Sequence, residues 1–277
     1  MIKVILVRLD GTSGDELRLA ASESLAKLFD AHTVGLFLNV LPEPALAEAG
    51  VSVEYWTRLL DQARERGKTM EVEFATRLRG MARSAECRRF DVYAHEQARV
   101  TARECRTADV FVGLRLSDTD KTVELHDVVE DVLFESGRHL FLVADQKPFE
   151  QGFEHAIIAW NRSREAARAV AEALPYLTKS RAVTVVEIEQ GASPEMPAKR
   201  GDELVRYLHH HGISASIKVA NGRVLDTSSA LLEVIGEQRA DLVVMGAYGH
   251  SRLREWLLGG VTYKLLRKSP VSLVIAH

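Results

Sequence analysis

Residues 241–262 read DLVVMGAYGHSRLREWLLGGVT, and this stretch decides the fold and points to the chemistry. Its apolar run Leu242 to Met245 predicts a buried parallel strand ended by a glycine turn. Gly246, Gly249, Gly259 and Gly260 follow, and a helical pattern begins near Val261. Glycines so spaced let the backbone turn sharply and approach a ligand where a Cβ would clash, leaving main-chain N–H groups to face an anion. A helix starting at Val261 brings the positive end of its dipole to the same place. The local chemistry favours phosphate. No Lys-Ser or Lys-Thr follows the glycines in the arrangement of a P-loop, so that mode of phosphate binding is disfavoured.

The spacing of Gly246, Gly249 and Gly259, with two residues and then nine between them, resembles the nucleotide-binding signature of the universal stress protein family. The resemblance runs from Met245 through the final strand, Val271 to Ala276. It implies an α/β fold of two tandem doubly wound parallel-sheet domains, Rossmann-like and similar to the adenine nucleotide α-hydrolases. It also implies ATP as ligand, with Mg²⁺ as the accompanying ion, and a role in stress response or signalling. One departure is plain: where the family usually carries Ser or Thr after the third motif glycine, this chain has Gly260. Gly260 still offers a backbone N–H and Thr262 keeps a hydroxyl nearby, so the expectation is weakened rather than lost phosphate binding.

Working outward, the order of elements repeats. Ile2 to Leu9 predicts a strand, Asp10-Gly11-Thr12-Ser13 a turn that can cap a helix, and Asp15 to Phe29 that helix. A strand over Thr33–Val40, a long charged helical region from Tyr55 to Ser84, a strand around Phe90–Ala94, a helix over Gln97–Thr107 and a strand at Asp109–Gly113 follow. His139–Ala144 closes the first half, and Asp145 to Gly152 reads as a linker. The cycle restarts with strands at Glu154–Trp160, Ala182–Ile188 and Ile213–Val219, and with a helix over Asp202–His211 that Gly212 can end. Ala108-Asp109 and Ala240-Asp241 each precede an apolar strand, which marks a tandem duplication at the level of pattern. The expected domains are 1–146, a degenerate copy without the glycine loop, and 153–277, which carries it. The resemblance further implies that the halves imitate a dimer, with His139–Ala144 near Val271–Ala276; a homodimer of whole chains is compatible with the pattern.

The 277 residues carry 36 basic and 39 acidic side chains and are 46% hydrophobic, which suits two α/β cores and gives no electrostatic footprint for nucleic acid. No stretch reaches the length of a membrane span, and the N-terminal apolar run is short for a signal peptide, so a cytoplasmic protein without a membrane partner is expected. Cys87 and Cys105, with no CxxC, read as free thiols.

In open parallel sheets ligands bind beyond the carboxyl ends of strands, at the topological switch point. That rule gathers Ala159, Trp160, Asn161, Ile188, Met245, Gly246, Tyr248, Gly249, Gly259, Gly260, Val261 and Thr262 as candidate cofactor-binding residues for an adenine nucleotide. Asn161 stands where the family often has an Asp that contacts adenosine; Asp10 fits that pattern better but lies in the half without glycines. Trp160 can stack on a base or pack, and packing is favoured. Arg252 and Arg254 can neutralise phosphate charge or simply be solvated on an exposed loop, with solvation favoured, and His250 stays open in the same way; His209-His210-His211 read as imidazoles complementing a helix end rather than a metal site. Asp118, Asp120, Glu124, Asp127, Glu130 and Asp131 would repel a triphosphate from the first half. No general base or metal-binding carboxylate pair adjoins the glycine loop, so no catalytic residue is assigned and at most weak ATP hydrolysis or self-phosphorylation at Ser251 or Thr262 is expected. The alternative to a nucleotide switch is a scaffold or carrier of another small ligand with a vestigial site.

Overall fold

The computed structural model describes residues 1–43, 52–115, 123–144, 149, 151–189, 201–222, 226–247 and 260–277. Its contacts divide the chain into two units, Met1–Leu114 with Lys121–Arg138, and Arg115–Asp120 with His139–His277. Each is an α/β unit built on a largely parallel sheet.

In the first unit the order is β1 (Val4–Leu9), α1 (Gly14–Phe29), β2 (His32–Val40), α2 (Val53–Arg79), β3 (Ala85–Val92), α3 (Gln97–Cys105), β4 (Val110–Leu114) and α4 (Val123–Glu135). The strands lie in the order β3-β2-β1-β4, all parallel. Ile5, Leu6, Val7, Val110 and Val112 are buried because a strand covered on both faces has no solvent side to alternate with. Strand β3 begins five residues before the position expected from the apolar residues near Phe90. Its sequence, AECRRFDV, is charged because it ends the strand order, and pairing within the strand and to a helix replaces apolar burial. Arg89 bonds Asp91 at 3.0 Å and Glu71 of α2 at 3.1 Å.

The second unit comprises β5 (His139–Val143), β6 (Phe153–Ala159), α5 (Arg164–Leu177), β7 (Ser180–Glu189), α6 (Asp202–His210), β8 (Ala215–Asn221), α7 (Thr227–Gln238), β9 (Leu242–Gly246), α8 (Val261–Lys268) and β10 (Ser272–Ala276). Its strand order is β5-β10-β9-β6-β7-β8. All neighbours are parallel except β5, which runs antiparallel to β10 with Phe141 opposite Val274. Strand β5 therefore lies before the linker in sequence yet completes the second sheet. Aromatic packing holds it there. Phe141 stacks on Tyr176 of α5 at 5.6 Å between centroids, and buried His139 meets the Tyr176 hydroxyl at 2.9 Å. Strand β8 starts at Ala215, two residues later than the apolar pattern predicts, because Ile213 is buried in the turn after α6 and its N–H bonds the Leu208 carbonyl. Gly212 adopts φ 74°, the left-handed conformation that ends that helix.

The duplication shows in one repeated device. The Asp109 carboxylate accepts the N–H groups of Lys3 and Val4 at 2.6 and 2.9 Å, fixing the start of β1. Asp241 does the same for Glu154 and His155 at the start of β6, at 2.8 and 3.0 Å. Each carboxylate satisfies two strand-end donors that no neighbouring strand reaches. Asp241→Ala is expected to lower stability by roughly 1–2 kcal/mol, read as a lower urea midpoint, with Asp241→Asn falling between it and the wild type because one acceptor remains.

Candidate functional site

The second sheet grows from β6 toward β7 and β8 on one side and toward β9 and β10 on the other. The strand order reverses direction between β6 and β9, which makes the carboxyl ends of these two strands the switch point at which doubly wound folds receive ligands. Sequence register fixes its lips. Ala159 pairs with Met245 of β9 and with Val186 of β7, and the ladder continues one residue further, where Trp160 N–H bonds the Val186 carbonyl at 2.9 Å.

Beyond Trp160 the chain turns within three residues. Asn161 Oδ1 accepts the Ser163 N–H at 3.1 Å, and Arg162 between them takes φ 62°. A side-chain oxygen bonding two residues onward is the means by which asparagine closes a turn. Ser163 then caps α5, its hydroxyl accepting the Ala166 N–H at 3.1 Å. Asn161 is left exposed at the lip.

Gly246 ends β9, and the structure gives it a role the sequence reading did not anticipate. A Cβ there would lie 2.4 Å from the Ala166 nitrogen and 2.5 Å from the Glu165 carbonyl carbon. The first turn of α5 thus packs directly on this glycine, backbone against backbone. The first unit makes the same approach with the glycine on the opposite partner: a Cβ on Gly14, at the start of α1, would lie 2.7 Å from Leu114, the residue that ends β4. Registers place Leu114 and Gly246 equivalently, each two residues past a strand pair, Val7 with Val112 and Ile158 with Val244.

Of the remaining candidates, Met245 and Thr262 are buried, so Met245 has only its backbone to offer a ligand. Ile188 lies in β7 two residues beyond the partner of Ala159 and is half-buried at the carboxyl end of the strand. Trp160 is also half-buried, and its indole N–H, itself buried, has no partner among the described residues. Gly260 precedes α8 at φ −54°, a conformation open to any residue, and no side chain caps that helix. Val261 is its first residue. Lys264, one turn in, reaches Asp226, the cap of α7, at 3.3 Å; the Ser228 and Ser229 hydroxyls, foremost among its partners, hold the Asp226 carboxyl well below its ordinary range. Tyr248, Gly249 and Gly259, with His250, Ser251, Arg252 and Arg254, lie outside the described residues, as do Asp118 and Asp120.

In the first unit the corresponding place is closed by charge. Asp10 Oδ1 accepts the Thr12 N–H at 3.0 Å, repeating the turn of Asn161, and also the Arg18 guanidinium at 2.6 Å. Buried Asp15 takes the same guanidinium at 2.6 Å and the Gly11 N–H at 2.8 Å. The turn donors that could meet an anion are thus bound to an internal carboxylate. The turn Asp10–Ser13 was expected to cap this helix, but Ser13 at its head makes no side-chain cap bond, and the Asp15 carboxylate reaches back to the turn instead. This network went unread in the sequence, although Asp15 and Arg18 stand one helical turn apart, at the spacing of a paired face.

The thiols match the sequence reading. Burial, with Glu71 nearby, pushes Cys87 up to about 11, and burial raises Cys105 further, so neither is a ready nucleophile at neutral pH. His209 and His210 occupy the last turn of α6. Among the described residues no group of three or more His, Cys, Asp or Glu is placed to hold a metal, and no helix is long and apolar enough to cross a membrane.

Strand order, switch point and capped helix entry define a doubly wound α/β domain. Residues 152–277 match the model of the Universal stress protein family. Solved structures extend the likeness of fold to the whole chain. A universal stress protein from Archaeoglobus fulgidus is 19% identical, covers 99% of this chain and 95% of its own, and superposes with a TM-score of 0.72. A putative universal stress protein from Pseudomonas aeruginosa is 14% identical over 99% of this chain and 93% of its own, with a TM-score of 0.60. A single-domain member from Arabidopsis thaliana, solved with AMP bound, is 17% identical over 45% of this chain and 92% of its own, with a TM-score of 0.32. No curated protein matches the chain.

Proposed function

We propose that this chain binds an adenine nucleotide, ATP with Mg²⁺, at the switch point of its second unit, and that it acts as a nucleotide-responsive protein of stress response or signalling rather than as an enzyme. The observation that carries this reading is the lip itself. Trp160 and Asn161 end β6 beside the end of β9, where the winding reverses, and the glycine-rich sequence that follows Gly246 leaves from that point. The indole N–H of Trp160, without a partner among the described residues, and the amide of Asn161 are donors suited to a ligand rich in acceptors. An adenine ring supplies a flat apolar face as well, and its triphosphate would meet the backbone donors and helix dipole at α8. The first unit, whose Asp10–Arg18–Asp15 network occupies the equivalent turn, takes no nucleotide in this reading.

Isothermal titration of Mg-ATP into nucleotide-free protein tests it. The expected result is one site per chain, abolished by Gly249→Val and unchanged by Asp10→Asn in the first unit. Absence of heat would overturn the reading. Gly246→Val is unsuitable as a control because it displaces α5 whether or not a ligand contacts that residue.

A further inference from the structure

Strand β3 ends the order of the first unit and β8 that of the second, and the two edges are guarded unequally. Strand β3 carries Glu86, Arg88, Arg89 and Asp91, the charges by which an edge resists pairing with another chain. Strand β8, ASIKVAN, has one charge and no proline, and no described strand lies on its outer side. That charge, Lys218, is engaged by α7, where its ammonium meets Glu237 at 2.6 Å. Ile217 and Val219 lie on the opposite face of the strand and are 38% and 60% exposed. The backbone has a free side as well. Gly222 N–H bonds the Glu189 carbonyl at 3.1 Å, so by the alternation of a parallel ladder Ala220, Lys218 and Ser216 also turn their peptide groups toward β7. Ala215, Ile217 and Val219 turn theirs outward, where no described strand receives them.

This edge is its own complement. A second copy laid antiparallel against it, about a two-fold axis at Lys218, the midpoint of the strand, sets Ile217 of each copy opposite Val219 of the other. Both members of such a pair present outward peptide groups, so each pair exchanges two N–H···O bonds. On the apolar face four β-branched side chains meet, the residue type that fits a pleated surface best. The two Lys218 residues face each other at the axis as a pair without mutual backbone bonds, and the Glu237 carboxylate beside each ammonium keeps the centre neutral. Moving the axis to Ile217 would set Val219 against Ala215 and leave the end of the strand unmatched. We propose that β8 is the edge through which two copies of this chain pair, antiparallel and about a two-fold axis at Lys218. The pairing is independent of whether the second unit holds a nucleotide.

Sedimentation of the whole chain over a range of concentrations, joined to one cross-linking variant, tests the pairing. The wild type is expected to show a concentration-dependent dimer. Val219→Lys, which places charge among the four apolar side chains, should stay monomeric with an unchanged thermal midpoint, because Val219 is exposed in the single chain. Lys218→Cys brings two thiols together at the axis, where facing residues stand about 4.5 Å apart between Cα atoms, within reach of a disulfide. Oxidised glutathione, taking up the two electrons and two protons, should join that variant into a covalent dimer. Glu86→Cys on the guarded edge β3, treated alongside, measures chance collision and should remain uncoupled. A wild type that is monomeric throughout, a dimer that survives Val219→Lys, or a Lys218→Cys protein that cross-links no more than Glu86→Cys would overturn the inference.

Discussion

Gly246→Ala is expected to destabilise the second unit by about 3 kcal/mol, more than the addition of one methyl group to most core positions. The reason is what that methyl meets. Its neighbours at 2.4 and 2.5 Å are main-chain atoms of Ala166 and Glu165, which no rotamer change can withdraw. To admit it, α5 must move as a body, and α5 carries the Tyr176 ring against which β5 packs. Urea unfolding followed by tryptophan fluorescence should show the loss, and trimming Ala166 to glycine should not restore it. In the first unit the equivalent pair behaves differently. Gly14→Ala meets the tip of the Leu114 side chain, so Leu114→Ala should recover most of its smaller deficit. A Gly246→Ala protein of full stability that loses only nucleotide would show instead that the glycine serves the ligand alone.

Arg18→Ala should have the largest effect in the first unit, about 3–5 kcal/mol, because it strands two carboxylates that share one buried guanidinium. Asp10 also gives the network a pH signature. Burial opposes its ionisation, but the Arg18 guanidinium and the Thr12 hydrogen bonds more than offset burial and hold the carboxyl below its ordinary value of 3.8. A depressed folded pKa contributes stability that is fully present above that ordinary value and is lost as pH falls through the folded one. Wild-type stability should therefore decline below about pH 4 with a component that Asp10→Asn removes. A decline of equal steepness in both proteins would show that Asp10 contributes nothing to it.

Much of this architecture was legible in residue order because buried parallel strands are continuous apolar runs. LVVM, SLVIA and HLFLV announce themselves by composition, and the two Ala-Asp pairs mark the repeat. Strand β3 resisted because a charged edge held by Arg89 and Asp91 carries no apolar signal. The switch point was legible in outline: Ala159, Trp160 and Asn161 stand at the strand end that the rule selects. What sequence could not separate was a glycine that admits a ligand from one that admits a helix, since both demand a missing Cβ. Gly246 makes the second demand, visible only once α5 is in place. Nor could it tell that Asn161 Oδ1 closes a turn onto the Ser163 N–H, because that follows from the left-handed residue Arg162 between them.

Strand β5 has a consequence for synthesis. All five of its residues are buried, and its partner β10 is made only after β6 through α8, a delay on the order of ten seconds on the ribosome. Through that interval HLFLV waits without β10, the antiparallel partner it meets in the second unit. The chain therefore carries its own hazard of premature pairing into translation, and the cell must shelter this one segment until the last strand arrives.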